Sequence, residues 1–92
     1  GGSAAEYLDG AGWAARAETG GFLAVAPEGL PARPDRPPHF FRNPRLWNSG
    51  QHPPDRPRSR VDDLAFFRDL LEEIARRWRV DRRRIYVAGH SN

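Results

Sequence analysis

The most regular apolar pattern lies toward the C-terminal end. Leu64, Phe67, Leu71, Ile74 and Trp78 recur at spacings of three and four, and Leu70 and Ala75 widen the stripe. That is the period of an amphipathic helix. Asp62 and Asp63 open it and Arg76, Arg77 and Arg79 close it, the charge order that a helix dipole favours. Ser59 or Asp62 can cap it. The pattern predicts a helix over 62–79. Two shorter runs, Phe22-Leu23-Ala24-Val25-Ala26 before Pro27 and Arg84-Ile85-Tyr86-Val87-Ala88 before Gly89, are nearly continuous in apolar residues. Continuity without alternation predicts strands at 22–26 and 84–88, buried on both faces as in a parallel sheet.

The remaining segments are shorter or irregular. Ser3 followed by Glu6 forms a capping-box pattern and starts a helix, which Gly10 and Gly12 interrupt. A second helical stretch runs from about Trp13 to Glu18 and ends at Gly20-Gly21. Tyr7, Leu8, Trp13 and Ala17 are the candidate inward positions. Residues 28–61 read as one long Pro-rich loop without a period of two or 3.6. Its Phe40, Phe41, Leu46 and Trp47 are more aromatic and apolar content than a disordered linker carries. An ordered loop over a pocket rim is expected, with Trp47 and Asn48 as rim candidates; packing is the plainer role for Trp47. Asp81 is placed to accept backbone N–H groups in the turn after the long helix.

Composition changes this picture in two ways. Ninety-two residues, 38% hydrophobic, with nine Gly and nine Pro, supply little for a self-sufficient core, since small domains bury the smallest share of their surface. Mean hydropathy is -0.79. The chain therefore reads as part of a larger domain. All fifteen basic residues are Arg, interleaved with twelve acids to a net charge of +3. Charges spread in this way fit a solvated surface, so no nucleic-acid partner is expected. There is no cysteine, hence no disulfide or thiolate site. His39 and His52 are too isolated for a metal site, and no apolar run is long enough for a membrane span.

The chemistry is concentrated in Gly89-His90-Ser91-Asn92. Gly89 and Ser91 match the start of the G-x-S-x-G nucleophile elbow, and His90 and Asn92 fill its variable positions. In that elbow a strand turns sharply and lifts the serine hydroxyl out for attack on a carbonyl. The reading requires residues 84–88 to be a strand and Ser91 to lie outside a continuous helix. A chance turn serine is the competing reading.

With the elbow in place, the chain resembles the polyhydroxybutyrate depolymerase and feruloyl esterase-like group of α/β-hydrolase serine esterases. The likeness rests on the glycine-rich start, on Gly21–Gly29, on Trp47-Asn48, on Val61–Phe67 and on Val80–Asn92. It implies an α/β fold with a doubly wound, mainly parallel sheet and helices on both faces. This chain would be the N-terminal portion of one catalytic domain, incomplete and poorly folded alone. It further implies Ser91 as nucleophile and an oxyanion hole from the backbone of Asn92 with Gly1 and Gly2. The triad Asp and His would follow Ser91, outside the 92 residues. An ester substrate, small or polymeric, no cofactor, and an extracellular or cell-envelope location complete the expectation. A peptidase or other acyl-transfer enzyme of the same fold and a non-enzymatic Arg-rich binding module remain as alternatives, and a linker scar is the lesser reading of Gly1-Gly2-Ser3.

Overall fold

A computed structural model describes residues 2–92. The chain divides into two compact units, Gly1–Trp47 and Asn48–Asn92.

The first unit begins with two short helices, α1 (Ala4–Gly10) and α2 (Trp13–Gly20). The capping box at α1 is complete. Ser3 Oγ accepts from the Glu6 N–H at 3.2 Å, and the Glu6 carboxylate accepts from the Ser3 N–H at 2.7 Å. This pair satisfies two backbone donors that the helix itself cannot. The Ala4 N–H, another such donor, reaches Glu28 Oε2 at 2.6 Å. Glu28 also pairs with Arg45, so one carboxylate ties the start of α1 to the later chain. Gly12 and Gly21 flank α2 with φ of 74° and 67°, the left-handed region that glycine enters without a Cβ clash.

The expected strand at 22–26 is not formed. These residues lie in no regular element, and Phe22, Leu23 and Val25 are about half exposed. The unit's sheet is instead a two-stranded antiparallel ladder of β1 (Leu30–Pro31) and β2 (Arg45–Leu46), with Leu30 opposite Leu46. Gly29 passes close by: a Cβ there would sit 3.3 Å from the Leu46 carbonyl oxygen. His39 and Asn43 form a further antiparallel bridge, exchanging backbone hydrogen bonds at 2.9 Å each way.

The centre of this hairpin is a side chain. Asn43 is 5% exposed. Its Oδ1 accepts from the Arg33 N–H at 2.7 Å, and its Nδ2 donates to the carbonyls of Arg33, Arg36 and Pro37 at 3.0–3.1 Å. Three of the eight prolines between Glu28 and Arg60 fall at 34, 37 and 38, and a proline-rich turn cannot supply those donors from its own backbone. The Asn43 amide supplies them.

The second unit is built on α3 (Asp63–Arg77), preceded by a 3₁₀ turn at Pro57–Arg60 and followed by another at Arg82–Arg84. Asp62 caps α3 by accepting from the Ala65 N–H at 2.9 Å, worth about 1 kcal/mol by comparison with other caps. Trp78 is already extended, so the helix is shorter at each end than the 62–79 that the pattern predicts. Arg58 is 4% exposed and its Nη2 reaches both Asp63 carboxylate oxygens, at 2.8 and 2.7 Å. Asp63 Oδ2 also accepts from the Asn48 N–H at 2.5 Å. One carboxylate thus anchors the start of the loop to the start of the helix.

The expected strand at 84–88 is also absent. Arg84 ends the 3₁₀ turn, Ile85 has extended backbone, and residues 86–88 join no ladder. A mainly parallel α/β sheet is therefore not the fold of this chain: the only sheet among the described residues is the antiparallel pair. The physical reason is the lack of partners. A strand buried on both faces needs neighbours for its backbone groups and layers above and below, and neither segment finds them. No hydrophobic side chain among the described residues is fully buried. The helices form because their hydrogen bonds are local.

Candidate functional site

The route to Ser91 starts at the turn after α3. Asp81 Oδ1 accepts from the Arg83 N–H at 3.0 Å, and the Asp81 carbonyl accepts from the Arg84 N–H at 2.9 Å. Its carboxylate also holds the Arg83 and Arg84 guanidinium groups at 3.0–3.2 Å. The Arg83 side chain and backbone N–H, then Arg84, hold its carboxyl below the usual aspartate range. Arg82 turns back to Glu72 on α3, at 3.1 and 3.3 Å. The three arginines of this turn are therefore paired with acids.

Beyond it, Tyr86 and Val87 are 86% and 91% exposed. Gly89 is in open space: a Cβ there would meet nothing within 4 Å. The close approach that makes a glycine obligatory in a packed elbow is not made. Ser91 is exposed, lies outside any helix, and has φ of 58°. It is the one non-glycine residue with positive φ among those described. This region costs an L-residue roughly 1–2 kcal/mol, and such conformations concentrate at functional sites. Of the two conditions placed on the elbow, the strand fails and the turn outside a helix holds.

The other expected site residues are placed as follows. His90 precedes Ser91 in the same exposed segment, and Asn92 is half-buried. Gly1 lies outside the described residues. Gly2 precedes α1 in the first unit, where a Cβ would come within 3.1 Å of the Glu6 carboxylate. Trp47, half-buried, ends the first unit, and Asn48 starts the second. His39 Nδ1 accepts from the Phe41 and Arg42 N–H groups at 3.3 and 3.2 Å, a turn-forming role. Asp62 and Asp63 serve the start of α3, as capping predicts.

Asn48 does border a cavity. About 350 Å³ in volume, it is lined by Asn48, Gly50, His52, Pro54, Ser59 and Arg60. Asn48 Nδ2 donates to the Ser59 and Val61 carbonyls at 3.3 and 2.9 Å, and its Oδ1 accepts from the Gly50 N–H at 3.1 Å. These bonds fold the loop into a concave wall. His52, Ser59 and Arg60 were not identified as a group from the sequence, because this loop has no period and its shape depends on one asparagine.

Among the described residues no three His, Asp or Glu side chains are grouped to hold a metal ion. No helix among the described residues is long and apolar enough to cross a membrane. Comparison with family models, with curated proteins and with solved structures returns no match.

Proposed function

We propose that Ser91 is the acyl nucleophile of a carboxylic ester hydrolase. The observation that carries this reading is the backbone of Ser91. A serine with φ of 58° follows Gly89 and His90 at the end of an apolar segment. A left-handed serine in a G-x-S sequence has the local geometry that turns a hydroxyl outward. The resemblance to polyhydroxybutyrate depolymerases and feruloyl esterases supports the same assignment. The strand at 84–88 that the elbow reading calls for is not formed, so the assignment rests on the local sequence and backbone of Ser91 alone.

In the proposed reaction Ser91 Oγ attacks the ester carbonyl carbon as a base takes its proton. The tetrahedral intermediate expels the alcohol, and water then releases the acid from the acyl-enzyme. No side chain among the described residues hydrogen-bonds to Ser91 Oγ, and an unassisted serine hydroxyl is a poor nucleophile. In the family the chain resembles, the triad acid and base come later in the sequence than the nucleophile. The Asn92 N–H is the proposed donor to the developing oxyanion.

The test is hydrolysis of p-nitrophenyl butyrate by the intact protein and by its Ser91→Ala variant. A serine nucleophile predicts that the variant loses at least about a thousandfold in kcat/KM. A fluorophosphonate probe should add its mass at Ser91 alone. Equal turnover by the two proteins would end the assignment.

A further inference from the structure

We propose that the cavity lined by Asn48, Gly50, His52, Pro54, Ser59 and Arg60 binds a small organic carboxylate through Arg60. The proposal is independent of the role of Ser91.

Its basis is the balance of charge and hydrogen bonding in the wall. No acidic side chain lines the cavity. The acids nearest in sequence are otherwise disposed: Asp62 caps α3, Asp63 is engaged by the buried Arg58, and Asp55 is exposed and not part of the lining. Arg60 enters none of the ion pairs among the described residues. Arg60 is thus an exposed cation in the cavity lining that no acid of the described residues pairs with. The Asn48 amide is used by the wall itself. Ser59 Oγ is directed to the Arg56 and Pro54 carbonyls, at 2.6 and 3.1 Å. Neither competes with an anion for Arg60.

A guanidinium offers a planar fork of N–H donors that matches a carboxylate. Pro54 supplies an apolar wall for the body of the ligand. A volume of about 350 Å³ lies at the small end of ligand sites, roughly 300–1,000 Å³, which favours a compact acid over an extended chain.

The experiment is a titration of the protein with benzoate, followed by NMR at the His52 ring and the Arg60 side-chain N–H. Saturable shifts at both residues are expected, and benzamide, which has the same shape without the charge, should give none. Arg60→Gln should weaken benzoate binding about tenfold or more, the loss of one charge-assisted contact. Arg79→Gln, outside the cavity, and Ser91→Ala should bind as the unaltered protein does. The proposal is overturned if benzamide and benzoate shift the same resonances equally, if Arg60→Gln titrates like the unaltered protein, or if the shifts grow linearly without saturating. Tighter binding of inorganic phosphate than of benzoate would overturn the carboxylate assignment. The benzamide comparison needs no substitution and holds even if a variant fails to fold.

Discussion

Single residues, rather than packed layers, hold the irregular part of this chain together. Asn43 is the clearest case. Its amide makes four hydrogen bonds within one hairpin while being 5% exposed. Replacing it with alanine leaves the Arg33 N–H and three carbonyls without their partner, at about 1–3 kcal/mol for a buried unmet group. Asn43→Ala should therefore speed amide hydrogen exchange at Arg33, His39 and Asn43 together, leaving α3 amides unchanged. Uniform exchange rates in the two proteins would show that the amide is not the organiser. This role was not visible in the sequence, where Asn43 is one polar residue in a proline-rich stretch. Ser3, Glu6, Asp62 and Asp81 were visible, because each acts on backbone groups within three residues of itself. Ser91 is intermediate: the motif marks the position, but only its backbone angle separates it from an ordinary exposed serine.

At the scale of elements, the same division between local and distant partners decides what forms. α3 follows from its own sequence: a cap at Asp62, an acid in its first turn, and Arg76 and Arg77 in its last. Glu73 is held below the usual glutamate range by Arg76, then Arg77, and Glu72 by Arg82. The sign of the linkage follows. A carboxyl with a depressed folded-state pKa contributes stability above its unfolded value and loses it as pH falls through the folded value. Helix content by circular dichroism should therefore drop as pH is lowered below about 4, the ordinary carboxylate range. The drop should shrink in Glu73→Gln and in high salt, because both carboxylates reach solvent and are screened. An unchanged acid limb in Glu73→Gln would remove the pair from the account. The segments at 22–26 and 84–88 contrast with this helix. Their composition favours strands, but strand hydrogen bonds must come from other segments, and none among the described residues pairs with them. The ladder that does form, Leu30–Pro31 with Arg45–Leu46, is two residues long and carries no alternating pattern that could have announced it.

For the whole molecule, the decisive fact is that the described residues contain no fully buried hydrophobic side chain. Hydrophobic burial is the main favourable term in folding. Capping boxes, an asparagine-centred hairpin and surface ion pairs contribute about 1 kcal/mol each at most sites. They are set against a backbone entropy of about 1–2 kcal/mol for every residue fixed. Local bonds of this kind can define conformations without making their loss all-or-none. The isolated 92-residue polypeptide should accordingly bind an apolar dye, show helical far-UV but weak near-UV circular dichroism, and melt broadly. A cooperative domain of this length would absorb about 65 kcal/mol at its midpoint, and calorimetry should find no such peak. A sharp transition of that enthalpy would mean that Phe22, Leu23, Tyr86 and Val87, exposed in this structure, find one another in solution. The same measurement after Tyr86→Ser and Val87→Ser separates the two cases. Exposed side chains can be replaced with little change in the melt, whereas a hidden core would lose several kcal/mol, as large-to-small core substitutions do.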